Sequence, residues 1–156
     1  MKKMIIAALV LSSLSAFAGT TANLTLKGNV AAVNELTIAA DASAQSLNIT
    51  GGNTNLKVAT LTEKSNDKNG YDIFMSSFNA GKLQLGGDTS QSTSYQISYA
   101  GSAMTSPTAI PTPIKTVSSL TGLTTVTSDV QVNVTPYTTA VAGDYTDTVT
   151  FTLQAK

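Results

Sequence analysis

The sequence predicts an all-β protein, an antiparallel β-sandwich of short strands. Thr (25) and Ser (17) together make up 42 of the 156 residues, and charged residues only 12%, which is the balance of a Thr-rich β protein. Apolar residues recur at every second position in short runs, and no segment after residue 18 has a helical period. Gly- and Asn-rich turn signals separate these runs, and about eight short strands with frequent turns favour a sandwich.

Runs of alternating apolar residues mark the expected strands, and they fall at residues 22–30, 36–38, 47–49, 56–58, 71–75, 83–85, 95–99, 130–134 and 145–153. Thr and Ser occupy many of the intervening positions, which predicts sheets with one packed face and one face in water. Asn69-Gly70 predicts a hairpin turn. Three prolines between residues 102 and 116 predict a long connection or an edge strand, because proline cannot donate to a ladder.

The composition excludes most catalytic chemistry. The chain has no Arg, His, Cys or Trp, so it has no imidazole base, thiol nucleophile or guanidinium clamp for phosphate. Asp144 and Asp147 lie close in sequence, but carboxylates at a turn and a strand edge are common. We therefore expect no enzyme, no catalytic, metal or cofactor-binding residue and no cofactor. The 9 Lys balance the 9 acidic residues, so nothing in the charge favours a nucleic-acid partner.

The N-terminus predicts export. Lys2 and Lys3 precede an apolar run over residues 4–11, and Ala16-Phe17-Ala18 offers the small residues of a cleavage site, as in a secretory signal peptide. We expect a signal peptide at 1–18, an N-terminal extension at 19–31 and a sandwich at 32–156. No segment has the roughly 20 consecutive apolar residues of a spanning helix, so we expect a protein that does not span the membrane.

The two ends of the expected mature chain are the most informative segments. The last run, residues 145–153, is apolar at alternate positions and stops three residues before Lys156. Either an earlier strand covers its edge, or the edge is open to strand addition. Residues 20–30 also alternate, in the manner of a strand offered to a groove. Burying four apolar side chains there would contribute on the order of 6–10 kcal/mol before ordering entropy is subtracted.

Two short motifs at these ends carry a resemblance. Residues 22–30 read Ala-Asn-Leu-Thr-Leu-Lys-Gly-Asn-Val, and residues 142–153 read Ala-Gly-Asp-Tyr-Thr-Asp-Thr-Val-Thr-Phe-Thr-Leu. The chain resembles subunits of bacterial fimbriae assembled by the chaperone–usher route, particularly the cysteine-free pilins of the alpha, or colonisation-factor, group, and the spore-coat-U-like secreted domains. The resemblance spans the chain after residue 18 in architecture and about 21 residues in motif.

The resemblance implies an immunoglobulin-like antiparallel sandwich that lacks its last strand. A periplasmic chaperone would fill the groove first, and the extension of a like subunit would replace it at an outer-membrane usher, giving a homopolymer. The chain would pass through the periplasm to the cell surface or outside, as a structural subunit of a fimbria or pilus supporting adhesion. The implied donor-strand residues are Ala22, Leu24, Leu26, Gly28 and Val30, and the implied acceptor-groove edge is Val149, Phe151 and Leu153.

An alternative keeps the same residues and changes the topology. Residues 22–30 would fold back as the first strand of their own sandwich and pair with the C-terminal strand. The product would be a self-complemented secreted immunoglobulin-like domain, acting as an adhesin or a surface or matrix binding protein.

Overall fold

A computed structural model describes residues 19–156, so the predicted signal peptide lies outside the described residues. The described chain divides into two units, residues 19–30 and Ala31–Lys156. The first unit contains no helix and no strand, and its residues are exposed. The second unit contains all the regular structure described below.

The second unit is built from nine strands and one short 3₁₀ helix, with no α-helix among the described residues. The strands are β1 (Asn34–Ala40), β2 (Asn53–Ser65), β3 (Tyr71–Ser77), β4 (Lys82–Leu85), β5 (Asp88–Tyr99), β6 (Thr112–Val117), β7 (Thr124–Val134), β8 (Tyr145–Thr146) and β9 (Val149–Ala155). The 3₁₀ helix (Ala42–Gln45) follows β1. The prediction of an all-β antiparallel sandwich is confirmed.

The strands form two sheets in which every pair is antiparallel. The larger sheet has the order β1-β2-β7-β5-β4-β8, and the smaller has the order β6-β3-β9. β6, which carries Pro113, is an edge strand of the smaller sheet, as the prolines predict. β1 and β9 are the edges of their sheets on the side where the two sheets meet.

The core lies between the two sheets and consists of the inward residues of both. In β3, Tyr71, Ile73 and Met75 are buried and alternate with half-buried residues. Their counterparts in the larger sheet lie mainly on β2, β5 and β7, where the buried apolar residues are Ala59, Leu61, Tyr95, Ile97, Tyr99, Val130, Val132 and Val134. Alternation in three of the predicted runs, 71–75, 95–99 and 130–134, therefore identified the core face correctly.

Two predictions about local structure are wrong. Leu47 and Ile49 form no strand, because the Asn48 side chain accepts a hydrogen bond from Gly51 N at 2.8 Å and folds the backbone into a turn. Asn69-Gly70 does not close a hairpin, since β2 and β3 belong to different sheets. Gly70 instead ends the connection with φ +81°, where an added Cβ would lie 2.0 Å from the Val117 carbonyl oxygen.

The predicted strand over residues 145–153 is two strands. β8 pairs with β4 in the larger sheet and β9 pairs with β3 in the smaller, so the chain changes sheets at residues 147–148. Asp147, which interrupts the apolar alternation, lies at this crossing.

Within residues 19–156, no helix has the length and apolar character needed to cross a membrane.

Candidate functional site

The free edge of β9 is the first wall of an open groove. Within Ala31–Lys156, β9 pairs with β3 alone. Its residues Val149, Phe151 and Leu153 lie opposite the buried β3 residues Ser77, Met75 and Ile73, so all three point inward. They nevertheless remain only half-buried, because no strand covers the side of β9 away from β3.

The edge strand β1 forms the opposite wall. Leu36 and Ile38 lie opposite Glu63 and Leu61, both of which are buried, so the two β1 side chains also face inward. Ile38 is still 56% exposed. An inward-facing isoleucine with more than half its surface open to solvent indicates that this side of the sandwich lacks a covering element.

Two cavities lie along this opening. One of about 220 Å³ is lined from both walls, by Leu36 and Ile38 of β1 and by Val149 and Phe151 of β9, with Leu61 beneath. The other, of about 610 Å³, shares Val149 and continues past β8. Core residues of the larger sheet form its floor, among them Val58, Ile97 and Val132, and Leu47 and Ile49 form one side. We call these two cavities together, from Leu36 and Phe151 to Leu47 and Tyr145, the β1–β9 groove.

The carboxylate of Asp147 fixes the bend between β8 and β9. Its Oδ2 accepts hydrogen bonds from Ser77 Oγ at 2.5 Å and Tyr95 OH at 2.6 Å, and its Oδ1 accepts from the backbone N of Asn79 at 2.9 Å and Thr148 at 2.7 Å. Burial, and then the bond to Asp147, raise the pKa of the Tyr95 hydroxyl. Asp147 therefore ties the start of β9 to β3 and β5, which sets the direction of the groove wall.

A second buried carboxylate joins the two sheets below the groove. Glu63 is fully buried, and Tyr71 OH donates to its Oε2 at 2.6 Å. Tyr99 OH donates to Oε1, and Lys115 Nζ from the edge strand β6 lies 2.7 Å from Oε2. Burial is the main cause that raises the pKa of both tyrosines. The Tyr99 ring also lies 6.2 Å from the Phe151 ring, so this cluster supports the β9 wall from beneath.

The predicted donor-strand residues lie in the exposed first unit. Leu24, Leu26 and Val30 are 83%, 84% and 84% exposed, and Ala22 and Gly28 are exposed as well. Residues 22–30 alternate in sequence, but they form no strand in the structure. An isolated extended segment has no ladder partner, so it gains strand structure only on pairing.

The structure thus brings Val149, Phe151 and Leu153 together on one inward face, and it adds the β1 wall that sequence reasoning missed. The alternation of Leu36 and Ile38 identified a strand but not its neighbour across the sandwich. Among the described residues, no cluster of three acidic side chains is placed to hold a metal ion. A scan against protein-family models finds no match, and a search of curated proteins finds no similar chain.

Proposed function

We propose that this protein is a structural subunit of a bacterial surface fimbria or pilus, which polymerises when residues of one copy add a strand to the β1–β9 groove of another. The observation that carries the proposal is the inward face of β9, where Val149, Phe151 and Leu153 are left half-buried beside the half-exposed Ile38. An edge with free backbone groups and open apolar pockets is the arrangement used in strand addition.

The exposed N-terminal segment supplies a matching strand. Its apolar side chains recur at every second position from Ala22 to Leu26, and again at Val30, so they would all face the groove floor in an extended conformation. In a strand conformation, residues 19–30 would span about 40 Å, whereas β9 covers about 23 Å. One segment is therefore long enough to line the whole free edge.

The remaining parts of the proposal follow from the family resemblance. The completed fold would be an immunoglobulin-like sandwich, the groove would be filled by a periplasmic chaperone before assembly at an outer-membrane usher, and the polymer would support adhesion at the cell surface. The role is structural and not catalytic. Both carboxylates that hold clusters of donors, Asp147 and Glu63, act as acceptors for side chains or backbone of the scaffold.

The test is the double variant Leu24→Asp and Leu26→Asp in the chain from residue 19. We expect it to form no polymer, because each substitution would bury a carboxylate without a partner in the groove. The matched control is Asn23→Asp with Thr25→Asp, which adds the same charge on the opposite face of the segment and should still polymerise. The measurement is the polymer length distribution by electron microscopy and light scattering.

Polymers of normal length from the Leu24/Leu26 variant would contradict strand addition between copies. A monomer that retains its fold only with residues 19–31 attached, and never polymerises, would favour the self-complemented domain and redirect attention to ligands of its loops.

A further inference from the structure

Apolar side chains are exposed at both ends of the sandwich. At one end, β3 finishes at Ser77, whose backbone N donates to Thr108 O at 2.8 Å, and the flanking residues Phe78 and Ile110 are 84% and 75% exposed. At the other end, Leu123 is also mostly exposed and directly precedes Thr124, which pairs with Ser65. We call these the Phe78 end and the Leu123 end.

The N-terminal segment joins the sandwich at the Leu123 end. The Asn66 side chain accepts from Val33 N and donates to Ala31 O, both at 2.8 Å. Asn66 follows the last residue of β2, and that residue, Ser65, pairs with Asn34 at the start of β1. Residue 30 of any copy is therefore covalently fixed close to the Leu123 end of that copy.

The direction of β9 then determines how two copies meet. β9 runs from the Phe78 end, at Val149, to the Leu123 end, at Ala155. A donor segment antiparallel to β9 has its residue 30 at the Phe78 end, so the donor copy places its own Leu123 end against the Phe78 end of the acceptor. This contact is heterologous and repeats along a fibre.

A parallel donor would lead to a conflict. Its residue 30 would lie at the Leu123 end of the acceptor, so the two Leu123 ends would meet. The acceptor's own segment would bring the next copy to that same Leu123 end, where two copies would compete for one surface. Growth therefore requires the antiparallel direction, which is also the direction of every strand pair within the sandwich.

We propose that Phe78 and Ile110 pack against the region of Leu123 on the next copy, forming a head-to-tail contact separate from the groove. This inference rests on the proposed function, because it requires strand addition between copies. The two surfaces lie at opposite ends of the same sandwich. A linear polymer of identical subunits needs this arrangement. A second copy of the chain would then cover each exposed apolar surface.

The test is thiol cross-linking in assembled polymers. The chain has no cysteine, so Phe78→Cys with Leu123→Cys introduces the only thiols. Treatment with a short bis-maleimide should give a ladder of covalent multimers in denaturing gels. The single variants should give none. The control pair is Phe78→Cys with Asp129→Cys, since Asp129 is exposed at the centre of β7, and it too should give no ladder. Ile110→Cys with Leu123→Cys is the second test pair.

The other outcomes separate this inference from the proposed function. Polymers that form normally, yet give no ladder with either test pair, would overturn the end contact and leave strand addition intact. Cross-linked dimers of the single Leu123→Cys variant would overturn the antiparallel direction. A chain with native Phe78 and Leu123 that forms no polymer at all would overturn the proposed function, and this inference with it.

Discussion

The side chain of Glu63 lies between the two sheets of the sandwich. Its carboxylate is fully buried and receives hydrogen bonds from Tyr71 and Tyr99 and an ion pair from Lys115. These donors come from β3, β5 and β6, and Glu63 itself lies on β2, so one side chain connects both sheets. A buried charge is tolerated only while its partners remain, and removing one member leaves the others unpaired.

Replacing Glu63 with alanine should therefore lower the free energy of unfolding by about 3–5 kcal/mol. Glu35→Ala is the matched control, because the exposed Glu35 pairs with Lys64 at 3.2 Å on the outer face, and such a pair contributes about 0–1 kcal/mol. Urea unfolding of both variants checks the comparison. Equal losses from the two substitutions would contradict the role given to Glu63.

Asp72 makes the stability of the folded protein depend on pH. The neighbouring Thr116 hydroxyl and then the Lys156 ammonium, 3.2 Å from Oδ1, lower the pKa of Asp72 below its ordinary value of 3.8. The folded state therefore binds fewer protons than the unfolded state around that pH. The stabilisation is complete above pH 3.8 and is lost as the pH falls through the folded-state pKa.

We expect Asp72→Asn to be less stable than the parent at pH 7, and we expect this deficit to shrink as the pH falls below 3.8 and the native carboxyl becomes protonated. Thermal unfolding of both proteins across this range measures the difference. A deficit that stays constant or grows towards acid pH would show that the charge of Asp72 is not its cause.

At the scale of elements, β1 and β9 matter because each leaves an inward apolar face uncovered. Alternation in the sequence located both strands and predicted which side chains of β9 share a face. Alternation could not show that β1 faces β9 across the groove, because a strand has the same alternating pattern whichever strand lies opposite it. It also missed the break at Asp147, whose four donors come from residues 77, 79, 95 and 148, three of them remote in sequence.

The strand β2 illustrates a further limit. Its register against β7 shifts between Lys57 and Ala59, so the inward positions change from Leu56 and Val58 to Ala59, Leu61 and Glu63. A bulge inserts one residue and reverses the alternation. The sequence analysis predicted only the first set of inward positions, Leu56 and Val58. It therefore did not predict that Glu63 is buried.

The groove wall formed by β1 yields a direct prediction. Ile38→Asp should weaken capture of a peptide of residues 20–31 by about tenfold or more, since the loss of one buried apolar contact of this size exceeds 1.4 kcal/mol. Ala39→Asp is the matched control, because Ala39 is exposed on the outer face of the same strand, opposite Thr60, and lines neither cavity. Fluorescence anisotropy of the labelled peptide measures both affinities. Equal binding by the two variants would place the peptide elsewhere.

At the scale of the whole molecule, the fold class was predictable from the sequence and the open groove was only partly so. Composition and alternation were enough for an antiparallel all-β sandwich. They also singled out the two ends of the chain beyond the predicted signal peptide, residues 22–30 and 145–153. The position of the groove between β1 and β9, and the opposite placement of Phe78 and Leu123, depend on pairings between distant residues that local patterns do not encode.

The most direct test compares the chain from residue 19 with the chain from residue 32, each refolded and measured by light scattering. We predict polymers from the longer chain, and capped monomers from the shorter chain once a peptide of residues 19–31 is added in trans. A monodisperse monomer from the longer chain, with cooperative unfolding, would contradict strand addition between copies.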